Sequence, residues 1–322
     1  MTTYAIRRIL QTIPILFIIS VLLFFLVRSA PGGPLTSARR NPNVTKEQIE
    51  AIEEKLGLND PLPVQYGRWI GDMLKRDLGQ SIKFHRPVNE MIAERIPNTL
   101  LLMVVSEVVI ILGALAVGVY SALRQYSTLD NILTSILFIG YSMPIFFISL
   151  LSMYLFAVLF KKWGLPYLPT VGMFDPQVGK TPWQIFIHMI LPVFSLSVTY
   201  FAAYSRYIRG TLLEVLGQDY IRTAKSKGLP RREVIYVHAL KNASLPIVTV
   251  VGLDLPILLG GAVITERIFA WPGMGRLFLD HVSRGDMPVV MGILMMVATA
   301  VVLFQIVTDI TYAWLDPRIR YD

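Results

Sequence analysis

Apolar residues in this chain come in long runs. Six stretches, roughly 9–29, 98–122, 133–160, 184–205, 245–265 and 288–313, carry no more than one charged residue each. A helix rises 1.5 Å per residue, so about 20 residues cross a hydrocarbon layer of about 30 Å. The pattern predicts an all-α integral membrane protein with six spanning helices. Arg7 and Arg8 ahead of the first run resemble the start of a secretion signal. Ile9 to Val27 is longer than the apolar core of such a signal, and "SAPGGP" is a poor cleavage site, so the run is read as a retained helix.

Two polar segments between these runs have a pattern of their own. In "TKEQIEAIEEKLG", Thr45 and Gln48 make a capping box, Ile49, Ile52 and Leu56 form an apolar stripe, and Gly57 is the stop. "DPLPVQYGRWIGDML" follows, with Asp60 as N-cap, Pro61 at the first helical position and Leu62, Tyr66, Trp69 and Met73 on one face. Two short amphipathic helices in 30–97 either cover the mouth of a pathway or pad the outside of the bundle.

The second segment is 206–243, far longer than a turn between spans requires and dense in Lys and Arg. Within it, "DYIRTAKSKGLPRREV" has Asp219 placed to cap a helix from Tyr220 to Lys227, ended by Gly228 and Pro230. A helix of about eight residues does not hold its shape alone in water. Its apolar residues are Tyr220, Ile221 and Ala224, against Arg222, Thr223, Lys225, Ser226 and Lys227. The expected object is a short helix between helical extensions of two spans, stabilised by docking into a partner. A plain basic anchor needs only charge, and this segment has a cap, a helix and a Gly-Leu-Pro break.

Composition supports the membrane class: 54% of the 322 residues are hydrophobic, 16% are charged, and the mean hydropathy is +0.55. The net charge of +8 needs no nucleic acid to explain it. With the N-terminus inside, the inner segments carry 13 Lys and Arg and the short outer loops 6, the usual positive-inside bias. Both termini and the 206–243 segment are therefore placed on the cytoplasmic side of the membrane. The chain divides into 1–29 (N-terminus and first span), 30–97 (outer segment), 98–313 (five-helix core with the loop 206–243) and 314–322 (tail).

Chemistry-bearing patterns are few. There is no cysteine, and His85, His188, His238 and His281 are scattered without metal-ligand spacing. "VGKT" at 178–181 resembles the end of a phosphate-binding loop, but the glycines at 172 and 179 are too far apart for one and no strand precedes them. The chain is read as non-catalytic, with no metal or cofactor of its own. Glu107 and Asp254 fall inside apolar runs, where a charge costs about 2.5–3.5 kcal/mol on insertion scales. They either line a route for a cationic group or bond to neighbouring helices. Asp254 sits beside Pro256, Gly260 and Gly261, which loosen a helix. "FAWPGMGRLFLDHVSRGDMP", with Phe269, Pro272, Gly273 and Gly275, reads as a re-entrant outer loop of tight turns that closes the path.

"DYIRTAKSKGLPRREVIYVHALKNASLP" resembles the cytoplasmic loop of membrane subunits of dipeptide/oligopeptide ABC importers, the subunit type with a long first outer loop. Of the general importer core E-A-A-x-x-x-G, Ala224 and Gly228 match, while Arg222 and Thr223 stand where Glu and Ala would, as is usual in the peptide group. "LGLNDPLPVQYGRW", "DLGQS", "RPVNEMIAERIPNTLLL", "SMPIFFISLL", "GGAVITERIFAWPGMGRL" and "YAWLDPRIRY" extend the resemblance over nearly the whole chain. "APGGP" departs from it, with Gly33 where the group more often has an acid.

The resemblance implies a six-helix bundle of the type I ABC importer kind that forms a pathway for peptides. It makes 220–227 a coupling helix, with Asp219 to Lys225, Lys227 and Gly228 as its contact with a cytoplasmic ATPase. The implied partners are a homologous second permease subunit, two ABC ATPases that hold ATP and magnesium, an extracytoplasmic substrate-binding protein and membrane lipid. Importers of nickel complexes or glutathione share the architecture. An ion-coupled secondary transporter using Glu107 and Asp254 would leave the organised basic segment unexplained, and a membrane scaffold would account for that segment but give no reason for two acids within apolar runs.

Overall fold

In the computed structural model the first apolar run forms helix α1, Thr2–Ser29, unbroken at Pro14. The structure describes residues 2–29, 35, 39, 44–55, 57–243, 250–252 and 262–315. The chain divides into two compact units at 99/100, 271/272 and 306/307. The first holds the N-terminal part and 272–306; the second holds 100–271 and the chain from 307 on. Among the described residues, five helices are long and apolar enough to cross a membrane. Most of the sixth predicted span, 245–265, lies outside the described residues, as does Asp254 with Pro256, Gly260 and Gly261.

In the first unit, most of α1 leaves its apolar side chains exposed, as a lipid-facing helix does, while Ser20, Phe24 and Val27 are buried. Helix α2, Lys46–Lys55, carries the predicted capping box: Thr45 N–H donates to Gln48 Oε1 (3.0 Å) and Gln48 N–H to Thr45 Oγ1 (3.3 Å). Of its expected stripe, Leu56 lies outside the described residues.

Helix α3, Leu62–Leu74, begins one residue later than expected. Pro61 keeps an extended ψ of 142° and takes the cap position. Asp60 pairs instead with Arg68 at 2.7 Å, and the buried Gln65 amide donates to the carbonyls of Leu58 and Asp60. Tyr66 and Trp69 pack on Phe24 and Val27, and Tyr66 OH lies 2.7 Å from Ser20 Oγ.

Helices α4 (Val88–Ala93) and α5 (Ile96–Leu123) follow, and Val88, Met91 and Ile92 are buried with Met274, Leu277, Val289 and Ile293. The last two elements are α11 (Met274–Arg284) and α12 (Met287–Leu315).

Here the structure corrects an expectation. "PGMGRLFLDHVSR" is a helix of 11 residues from Met274, not a run of tight turns. Gly273 caps it in an extended conformation and Gly285, at φ +69°, ends it. Leu277, Met274 and His281 sit on one buried face, and that periodicity outweighs the turn preference of the two glycines.

In the second unit the predicted span 133–160 is broken. Helix α6 runs from Thr128 to Ser142, and α7 restarts at Ile145, continuing through a π-helical stretch, Tyr154–Leu159, to Lys162. Met143 (ψ 135°) and Pro144 (ψ 140°) are extended between them. Proline drives its predecessor out of the helical region, and hydropathy alone does not register that break. Helix α8, Pro182–Leu216, is 35 residues and so about 52 Å long. Its last turns are the predicted extension of a span into the basic segment. On the other side of that segment a second helical run, α10, comprises Arg231–Glu233, π-helical Val234–Ala239 and Leu240–Ala243.

Helices α5 and α8 lie close because α5 has glycines at the seam. A Cβ on Gly118 would fall 2.8 Å from the Ser205 carbonyl oxygen, and one on Gly113 would collide with the Phe201 ring.

Candidate functional site

The short helix of the basic segment is present as α9, Asp219–Ser226. It starts one residue earlier than predicted, so Asp219 is in the first turn and Gln218 occupies the cap position without a side-chain bond. There the Asp219 carboxylate complements the helix dipole and lies 3.6 Å from Arg222, both side chains largely exposed. The stop is as the sequence predicts: Gly228 takes φ +77°, and its N–H donates to the Lys225 carbonyl (3.0 Å).

The source of the helix's stability differs from expectation. Ile221 is 0% exposed and Ala224 7%. Both are buried within this chain, against Leu212 at the end of α8, Ala122 at the end of α5, and Val234, Ala239 and Ala243 of α10. The packing that a helix this short needs comes from its own unit rather than from a partner. Of the nine residues assigned to a partner contact, Ile221 and Ala224 therefore face inward. Tyr220 (43% exposed), Arg222, Thr223, Lys225, Lys227 and Gly228 remain on the outer surface. The Thr223 and Ser226 hydroxyls bond back to their own helix, at Asp219 O and Arg222 O (both 3.0 Å). What the surface offers is one aromatic ring and three cations on a rigid, internally braced helix.

A polar cluster that the sequence reading missed lies at the turn between α5 and α6. Ser127 caps α6 by accepting the Asp130 N–H (3.2 Å), and the buried Asp130 carboxylate accepts from Tyr126 N–H (3.0 Å). Arg209 Nη2 on α8 reaches the same oxygen at 3.3 Å. Burial opposes ionisation, but bonds from Ser121, Tyr126, Arg209 and Thr134 outweigh it and hold the carboxyl below its ordinary range. The signal was legible as Ser-x-x-Asp in "YSTLD", a helix-start pattern with an acid at its third position.

Glu107, on α5, is buried, and Tyr204 OH of α8 donates to its Oε1 at 3.2 Å. It stands at the seam of these two helices. Phe269 is buried in the second unit and its carbonyl accepts from Gly172 N–H (2.8 Å). Pro272, Gly273 and Gly275 belong to the first unit, where Asn98 Nδ2 donates to Pro272 O (2.8 Å).

The first unit has its own missed cluster. The Asp286 carboxylate, 0% exposed, accepts from Ser81 Oγ (2.5 Å) and Ile82 N–H (3.1 Å), and His281 Nδ1 lies 3.1 Å away. Burial resists ionisation here too, and the bonds from His281, Ser81 and Ile82 hold the carboxyl below its usual range.

Two family models match the chain. Residues 1–103 fit the N-terminal part of the binding-protein-dependent transport system membrane component, and residues 114–321 fit the binding-protein-dependent transport system inner membrane component. The chain belongs to that family. This inner membrane component is 42% identical, over the whole of both chains, to the oligopeptide transport system permease protein AppB of Bacillus subtilis. It is 36% identical, again over both whole chains, to the dipeptide permease DppB of Alkalihalophilus pseudofirmus and to the glutathione permease GsiC of Salmonella paratyphi A. Its fold matches a chain of the methionine ABC transporter MetNI in an inward-facing form, with a TM-score of 0.55 at 17% identity. That match covers 70% of this chain and 96% of the other.

Proposed function

We propose that this subunit forms part of the translocation pathway of an ATP-driven peptide importer and that α9 is its coupling helix. The observation that carries the reading is the two-sidedness of α9: Ile221 and Ala224 are fixed inside the unit, while Tyr220, Arg222, Lys225 and Lys227 are presented outward. A helix braced in this way moves with the membrane helices that hold it, so a partner gripping its outer face acts on α5, α8 and α10 at once. The names of the relatives, oligopeptide and dipeptide permeases among them, support peptides as the cargo. A second reading, a glutathione cargo, is supported by the glutathione permeases at 36% identity.

The partners in this reading are two cytoplasmic ATPases holding ATP and magnesium, a homologous second permease subunit and an extracytoplasmic binding protein. The basic bias of the inner segments supports a cytoplasmic position for both termini and α9. Glu107, at the seam of α5 and α8, is a candidate pathway residue, and Asp254 is a second, on its sequence context alone. Phe269, Pro272, Gly273 and Gly275 are candidate outer-gate residues on their sequence context.

The test is co-purification from the native membrane with mass spectrometry of the partners, followed by uptake in proteoliposomes. Recovery of a related membrane subunit with one or two Walker-motif ATPases, and uptake of di- and tripeptides only with ATP inside and binding protein outside, is the expected result. A chain that purifies alone and moves solute under an ion gradient without ATP overturns the reading.

A further inference from the structure

Asp130 has no role in the reading above, yet four chain segments converge on its carboxylate, which is 2% exposed. The donors are the hydroxyl of Ser121 near the end of α5, the N–H of Tyr126 in the turn (3.0 Å), Thr134 Oγ1 on α6 (3.4 Å) and Arg209 Nη2 on α8 (3.3 Å). An ionised carboxylate only accepts, at about four lone-pair sites, so this donor set suits the charged form. Tyr126 also holds φ +59°, a conformation that disfavours a side chain and that the surrounding bonds must keep in place.

The position of this cluster matters more than its strength. Arg209 lies one helical turn before Leu212, and Leu212 is fully buried against Ile221 of α9. On the other side, Ser121 adjoins Ala122, which is buried in the same cluster. A closed circuit of contacts therefore runs from α9 through Leu212 to Arg209, across Asp130 to Ser121, and through Ala122 back to α9. Its apolar half is non-directional and permits sliding. The charge-assisted half fixes a single geometry between α8 and the α5–α6 turn.

We propose that Asp130 is a positioning residue for coupling: it locks the α5–α6 turn to α8, so that displacement of α9 carries the three helices together. This rests on α9 being the coupling helix.

The experiment uses the whole complex, purified with its native partners and reconstituted, with a di- and tripeptide library read by mass spectrometry and ATP hydrolysis measured in parallel. Asp130→Asn keeps the shape and one acceptor oxygen but removes the charge that holds Arg209; Arg209→Gln removes the other half. Both are expected to retain their ATPases at wild-type yield and to hydrolyse ATP. Peptide moved per ATP should fall about fivefold or more, the lower end of ordinary coupling between sites. Arg209→Lys, which keeps the charge, should recover most of the ratio, and the double variant should be no worse than either single.

An unchanged ratio in an assembled Asp130→Asn complex overturns the proposal. So does a parallel loss of yield and ATPase activity with the ratio intact, which marks a purely structural role. Ser121→Ala, a milder loss of one donor, covers the case in which Asp130→Asn does not assemble: it should lower the ratio in the same direction, and an unchanged ratio again overturns the proposal. Absence of ATPases from the wild-type preparation sinks the coupling-helix reading itself and is seen before any variant is made.

Discussion

The segment 219–228 and the loop 80–87 are both short, both polar on their outer surfaces, and both too small to hold a shape alone. They are fixed by opposite means. Helix α9 is anchored by apolar side chains, Ile221 and Ala224, pressed into a cluster from three other helices. The loop is anchored by a buried charge: Asp286 takes Ser81 Oγ and Ile82 N–H, Ser81 Oγ in turn accepts from Phe84 N–H (3.0 Å), and a Gln80–Pro87 bridge closes the base. The first anchor is non-directional and indifferent to pH. The second sets one geometry and depends on ionisation. A helix expected to transmit displacement is thus held by burial and shape, and a loop that carries the exposed Phe84 is held by a buried charge.

The contrast breaks most sharply at Asp286. Its replacement by Ala leaves Ser81, Ile82 N–H and His281 without their shared acceptor in a buried site, and each buried donor left unpaired costs about 1–3 kcal/mol. The expected result is a lowered Tm and rapid proteolysis at 80–87, with α9 protected as before. Acid should do the same by degrees. The folded carboxyl is held below its ordinary range, so its contribution is complete above the unfolded value of about 3.9 and is lost as pH falls through the lower folded value. Hydrogen exchange measured from neutral pH downward, corrected for intrinsic rates, should show 80–87 opening before 219–228. Simultaneous opening of both would erase the distinction.

Ile221→Ala probes the other anchor. Truncating a fully buried Ile costs about 2–5 kcal/mol, here charged against a helix of eight residues with little else to hold it. Faster exchange across 219–228 and reduced recovery of ATPase partners are the expected outcomes, at every pH tested. Tyr220→Ala, on the exposed side of the same helix, should lower partner recovery and leave exchange in the isolated subunit unchanged. If the two variants behave alike, the division of α9 into an inner and an outer face is wrong.

Five of the spans, the capping box at Thr45 and Gln48, and the stop at Gly228 were legible because each is a local pattern: an apolar run, a reciprocal pair three residues apart, a glycine where the chain must turn left-handed. The break at Met143–Pro144 was equally local and was hidden only by the apolarity on both sides of it. The inward face of α9 was harder to read. Ile221 and Ala224 look like any two apolar residues in a basic stretch until Leu212, Ala122 and Val234, up to 102 positions away, supply the surface they meet. Asp286 was less legible still, because its meaning depends on Ser81, 205 residues earlier. Pairings over such distances leave no periodicity in the sequence.

The smallest expected effect separates conformation from surface at the end of α9. Gly228 has φ +77°, and nothing lies within 4 Å of where its Cβ would stand, so a side chain there meets no neighbour. Only the backbone resists, by about 1–2 kcal/mol for an L-residue in the left-handed region. Gly228→Ala should therefore fray the end of α9 modestly, seen as faster exchange at Lys227 and Gly228, and should weaken ATP-coupled uptake by altering how Lys225 and Lys227 are presented. Gly228→Asn adds a larger side chain, but Asn tolerates that conformation better. If uptake falls less with Asn than with Ala, the turn geometry is what the position supplies. If it falls more, the outer surface around Gly228 is itself in contact with the partner, and the end of α9 belongs to the interface rather than to its frame.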